Sequence, residues 1–144
     1  IPPHYQVFGE WCYAKHSILY VDDLELEDEL QLFAVYDMKR RLWLGWEEVE
    51  TFAKVLDCVT VPVLFKGRIF EKQWEFEKEM VKLTKKVICE GHEGIVIKSM
   101  YPFHYSQHED FVGKSVRENH VKTDVHWSRM PIVRNRVRIK DKNE

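Results

Sequence analysis

Four charged side chains in the second half of the chain have the types and order that chemistry at phosphorus requires. Glu93 opens the run Glu93-Gly94-Ile95-Val96-Ile97-Lys98, and Lys114 and Arg117 follow in Gly113-Lys114-Ser115-Val116-Arg117. The first run reads as a buried strand with a carboxylate at its entry and an ammonium at its exit. The second puts two more cations on another extended segment. Held on rigid strands, such groups can bind a metal-associated polyphosphate, because fixed positive charge faces the phosphate oxygens. Glu93 and Lys98 are five positions apart, so on one regular strand they point to opposite faces. They share a ligand only if Glu93 precedes the strand proper and Gly94 turns the backbone. Lys98 can equally be a strand-end lysine that snorkels to water.

Two residues in the first half could hold the rest of a nucleotide. Glu10, in Phe8-Gly9-Glu10-Trp11, ends a hydrophobic strand where Gly9 allows a close backbone approach. Its carboxylate can accept hydrogen bonds from sugar hydroxyls or bind a metal, or simply face water from an edge strand. Tyr36 ends Phe33-Ala34-Val35-Tyr36-Asp37. Alternation puts Phe33 and Val35 on one face and Ala34 and Tyr36 on the other. Tyr36 is then either core or a flat surface for a nucleobase, where stacking is worth roughly 1–3 kcal/mol. His104 and His108 have helical ligand spacing, but Pro102, Ser106 and the aromatics argue for a polar, aromatic loop over 102–110 and for solvated histidines. There is no H-E-x-x-H, no cysteine beside them and no nucleophile elbow.

The elements that position these groups follow from periodicity. Residues 5–11, 17–21, 32–37 and 41–44 read as strands, the last two joined by the basic turn at Lys39-Arg40. Trp46, Val49, Phe52, Ala53 and Leu56 form one apolar stripe, which predicts a helix over 46–56. Residues 59–65 carry Pro62 and predict an edge or a short strand. A longer helix is expected over 70–87, buried through Phe76, Met80, Leu83 and Val87. Residues 95–97 and 111–117 are extended, and the tail from Arg129 alternates apolar residues with cations.

Composition bounds the classes. The chain has 144 residues, 44% of them hydrophobic, enough for one domain with a core. The net charge of −2 hides an uneven distribution. Six acids lie between Asp22 and Glu29, which reads as a solvated loop, and nine Lys/Arg lie between Lys114 and Lys142, which suits a polyanion partner. The three cysteines, Cys12, Cys58 and Cys89, are far apart and argue against a disulfide framework, so a reducing, cytoplasmic setting is expected. No apolar run approaches the roughly 20 residues of a membrane span, and no signal peptide is expected.

Taken in order, FGEWCYAKHSI (Phe8 to Ile18), FAVYD, EGIVIK and GKSVRENHVKTDVHW (Gly113 to Trp127) resemble the motifs of ATP-dependent RNA ligases, within the covalent nucleotidyltransferase superfamily. The resemblance implies an α+β nucleotidyltransferase domain, ATP-grasp-like, with antiparallel sheets flanked by helices, spanning 1–144 and incomplete at the N-terminus. It implies ATP and Mg²⁺ or Mn²⁺ as cofactors, and RNA with 5′-phosphate and 3′-hydroxyl ends as partner. It gives Glu10 the ribose, Tyr36 the adenine, Glu93 the divalent metal and adenylate chemistry, and Lys98 and Lys114 the phosphates. Arg117 is a second cation of the last motif, and Lys15 and His16 receive no role. Such enzymes adenylylate a lysine of K-x-D-G, pass AMP to a 5′-phosphate, and let a 3′-hydroxyl displace it. No K-x-D-G occurs here, and the chain opens on Ile1. The expectation is therefore the C-terminal part of a split or truncated ligase, partnered by the missing N-terminal segment and unable alone to form lysyl-AMP. A non-catalytic nucleotide- or RNA-binding module and a DNA ligase or capping-type enzyme are the alternatives.

Overall fold

The computed structural model describes residues 1–11, 25–26, 30–68, 72–117 and 136–137. In chain order the elements are β1 (Tyr5–Trp11), β2 (Glu25–Leu26), β3 (Leu30–Asp37), β4 (Leu42–Trp43), α1 (Trp46–Val55), β5 (Val59–Thr60), α2 (Gln73–Cys89), β6 (Gly94–Lys98), β7 (Phe103–His104), a 3-10 turn (Tyr105–Gln107), α3 (His108–Phe111), β8 (Val112–Val116) and β9 (Arg136–Val137). The architecture is α+β, as expected, with mainly antiparallel sheets flanked by helices.

The larger sheet is built on β3. Strand β1 runs antiparallel along one side of it; β4 and then β7 extend the other side, and β5 pairs in parallel at its start. Helix α1 covers one face. Leu32, Val35, Leu44, Trp46, Val49 and Ala53 form the core there, with Tyr5 and Phe52 packed against it. Burying each large aliphatic side chain contributes about 1.5–3 kcal/mol. The Asp37 carboxylate, 1% exposed, closes the turn into β4. It accepts hydrogen bonds from the backbone N–H groups of Lys39 and Arg40 and from Arg40 Nε, the last at 2.6 Å.

A bulge breaks the alternation expected in β3. Phe8 pairs with Ala34 and Gly9 with Leu32, so Phe33 has no partner on β1. The extra residue flips the pleat. Leu32 and Val35 both reach the core, and Phe33, expected to share the face of Val35, is 38% exposed instead. Gly9 makes the expected close approach: a Cβ on it would lie 2.9 Å from the Gln31 carbonyl oxygen.

The second sheet is the antiparallel pair β6 and β8, with α2 against one face. Ile95 and Val87 are buried between them. Thr84 Oγ1 lies 2.9 Å from Ser115 Oγ across the same interface. Helix α2 ends as glycine allows: Gly91 has φ 95°, and the His92 N–H returns to the Val87 carbonyl at 2.9 Å.

Several expectations change. Leu56 lies just past α1 and is exposed. The strand over 59–65 shrinks to β5 because Pro62 has no N–H to continue the ladder, and Val63 to Phe65 are exposed. Residues 102–110 are not a loop but hold β7, the 3-10 turn and the start of α3. His104 Nδ1 accepts from the Ser106 N–H at 3.2 Å, which starts that turn. The expected strand over 17–21, Lys15, His16 and the distinctive 118–127 stretch lie outside the described residues. Of the acidic run and the cationic tail, only β2 and β9 are described, paired in parallel.

Candidate nucleotide and phosphate site

Strand parity sorts the cationic residues. On β6 and β8, Ile95 pairs with Ser115 and Ile97 with Gly113 on the face toward α2. Val96 pairs with Lys114 and Lys98 with Val112 on the opposite face. Lys98 and Lys114 are therefore diagonal neighbours on one face, with Cβ atoms somewhat closer than about 7–8 Å. Val96, opposite Lys114, is 66% exposed, so the face is open to solvent at that position.

Lys98 reaches across to the larger sheet. Its Nζ donates to the Phe33 carbonyl, at the bulge, and lies 4.7 Å from the centre of the Trp46 ring. Burial there pulls its pKa down from the usual lysine value to about 8. The ammonium thus stands where the two sheets meet, not out in water.

The larger sheet turns its aromatic face away from α1. Tyr36 pairs with Trp43 at 5.0 Å between ring centres, Phe8 lies 5.3 Å from Trp43, and Tyr105 lies 6.0 Å from Tyr36. Tyr36 is half-buried, so its ring is neither sealed in the core nor free. The His108 ring lies tilted 5.7 Å from Trp43 and stays exposed to solvent. The Trp43 Nε1–H is buried without an acceptor among the described residues. Glu10 pairs with Gln31 and, by alternation from Gln6 and Phe8, shares the face of Tyr36.

Glu93 and Arg117 sit together at the other end of the hairpin, where the Arg117 N–H donates to the Glu93 carbonyl at 3.0 Å. Glu93 precedes β6, as its shared role with Lys98 requires. Gly94, however, does not turn the chain; Gly91 is the one glycine of positive φ among the described residues. Gly94 is there for closeness, since a Cβ on it would meet the Ser115 carbonyl oxygen at 2.2 Å. Glu93 and Lys98 stand about 16 Å apart along the strand. The structure thus brings Lys98 to Lys114, Glu10 to the face of Tyr36, and Glu93 to Arg117. No cluster of three or more His, Cys, Asp or Glu able to hold a metal occurs among the described residues.

Two partners of the site escaped the sequence reading. Trp46 counted only as a member of the α1 stripe, and Phe33 only as an alternating strand residue. Gly9 inside a strand is the one signal that could have announced the bulge.

The α+β fold, with helices against mainly antiparallel sheets, is of the ligase and nucleotidyltransferase class. A family model described as RNA ligase matches residues 2–116, and the chain belongs to that family. No curated protein and no solved structure matches it. No helix among the described residues is long and apolar enough to cross a membrane.

Proposed function

We propose that this chain carries the adenylate- and phosphate-binding part of an ATP-dependent RNA ligase that seals 5′-phosphate to 3′-hydroxyl ends. The observation that carries the reading is the diagonal pair Lys98 and Lys114 on the hairpin face from which Lys98 spans to β3. In it, Tyr36 and its aromatic neighbours stack on the adenine, and Glu10 accepts hydrogen bonds from the ribose. Lys98 and Lys114 bind the phosphate and offset the charge that develops as the nucleotidyl group moves. Arg117 is the further cation at the far end of the hairpin.

The Mg²⁺ or Mn²⁺ that such chemistry uses does not fit Glu93 beside this phosphate, because Glu93 stands about 16 Å along the strand from Lys98 and belongs to no acidic cluster among the described residues, so no step is routed through an ion. The protein's share is placement: rigid strands hold the cations and the ring before the nucleotide arrives.

The test uses the full chain, Mg²⁺, a pre-adenylylated RNA 5′ end and a 3′-hydroxyl acceptor annealed beside it, so that no lysyl-AMP has to form. Phosphodiester formation, together with saturable ATP binding by calorimetry, is the expected result. ATP or RNA binding without sealing favours the non-catalytic module, a reading motivated by the lack of K-x-D-G in these residues. Absence of both binding and sealing overturns the proposal.

A further inference from the structure

We propose that Trp46 is a positioning residue for Lys98, fixed in turn by Glu50, and that both act on bound phosphate only through that lysine. The inference rests on the reading of Lys98 as a phosphate-binding cation.

Trp46 makes two polar contacts that a core tryptophan does not need. Its ring receives the Lys98 ammonium at 4.7 Å, and its Nε1–H donates to Glu50 Oε1 at 3.0 Å. Glu50 lies one turn further along α1, and the same carboxylate oxygen accepts from Lys66 Nζ at 3.1 Å. The series Lys66, Glu50, Trp46, Lys98 therefore runs from an exposed ion pair to a partly desolvated ammonium. A carboxylate on the indole N–H pushes electron density into the ring. That strengthens the attraction between ring face and cation, as hydrogen-bonded groups polarise one another.

The backbone of Trp46 does the same for the chain around Lys98. Its N–H donates at 2.9 Å to the carbonyl of Met100, two residues beyond Lys98. Gly45 permits this, because a Cβ there would lie 2.9 Å from that same carbonyl oxygen. Trp46 thus fixes both the segment leaving β6 and the ammonium at its end. An ammonium has three N–H donors, and the Phe33 carbonyl takes one. Lys98 can hold a phosphate oxygen without leaving the Trp46 ring.

The experiment measures ATP and adenosine binding by calorimetry for the full chain and for E50A, E50Q and W46F, each alone and combined with K98M. Thermal melts report folding. E50A is expected to weaken ATP about three- to tenfold and to leave adenosine within about twofold. E50Q keeps an oxygen for the indole N–H and recovers most of that loss, and W46F, which keeps a ring, gives an intermediate one. In the K98M background neither E50A nor W46F has a further effect. An equal E50A loss with and without Lys98, or no E50A loss at all, overturns the inference while leaving the functional reading in place. If the unsubstituted chain binds no ATP, both fall.

Discussion

The Lys98 side chain leaves β6 and ends on the main-chain carbonyl of Phe33, the residue of β3 that has no partner on β1. A bulge usually costs a ladder its regular pairing. Here its carbonyl is the acceptor by which the small sheet is tied to the large one. The same flip of the pleat sends Leu32 and Val35 into the core and leaves Ala34 and Tyr36 on the aromatic face.

Replacing Lys98 by Met tests what that tie is for. The substitution keeps most of the aliphatic stem and removes a partly desolvated charge. ATP affinity is expected to fall about tenfold or more, since a charge-assisted bond to phosphate is lost. The melting temperature is expected to hold, because the removed ammonium carried a burial cost. Calorimetry and thermal melts measure the two. A large fall in melting temperature with unchanged ATP binding would make Lys98 a structural strut only.

The same lysine fixes a pH signature. Its folded pKa of about 8 lies below the usual 10.5. Between those values the unfolded chain holds a proton that the folded chain has released. The group therefore adds stability as pH rises across that window and changes nothing below it. Phosphate binding runs the other way, because it needs the charged ammonium. ATP affinity is expected to fall as pH climbs past about 8, with proton uptake on binding. Calorimetry at pH 8.5 in two buffers of different ionisation enthalpy measures that uptake, and K98M should abolish it.

Tyr36 carries the prediction for the nucleobase. Its ring lies 5.0 Å from Trp43 and 6.0 Å from Tyr105, which hold its orientation. Tyr36→Ala is expected to weaken AMP about 5- to 100-fold, the range of a lost aromatic stack, whereas Tyr36→Phe should stay close to the parent. Titration of AMP against each variant decides it. Equal losses in the two variants would assign the effect to the hydroxyl rather than the ring.

What the residues disclosed in advance and what they hid have different physical origins. Period-two and period-3.6 patterns are local, so β1, β3, α1, α2 and β6 were all readable from neighbours in the chain. So was the pairing of β4 with β3, because a short basic turn joins them. The bulge at Phe33 was not, since it depends on how Gly9 of another strand meets Gln31. Nor was the role of Trp46, whose place in an apolar stripe concealed the two polar contacts of its ring. Lys98 and Lys114 were singled out by type, but their diagonal relation needed the register of a pair of strands about sixteen residues apart. Gly94 was read as a turn and serves close packing instead, two uses of glycine that one sequence cannot separate.

Two glycines of the β6–β8 hairpin give a matched test of that packing. A Cβ on Gly94 would lie 2.2 Å from the Ser115 carbonyl oxygen and 2.7 Å from Val116 Cα. Both are backbone atoms of the paired strand, so relief requires the strands to part. Gly94→Ala is expected to cost about 1–3 kcal/mol of stability. Because the hairpin carries both Lys98 and Lys114, ATP affinity should fall with it. Gly113 pairs with Ile97 in the same hairpin, yet a Cβ there would meet nothing within 4 Å. Its φ is not positive, so alanine fits the backbone too. Gly113→Ala is expected to be neutral or to stabilise by about 0.4–1 kcal/mol, by narrowing the freedom of the unfolded chain. Urea unfolding of the two variants side by side measures the difference. Equal behaviour would mean that the strands do not approach as closely at Gly94 as this register requires.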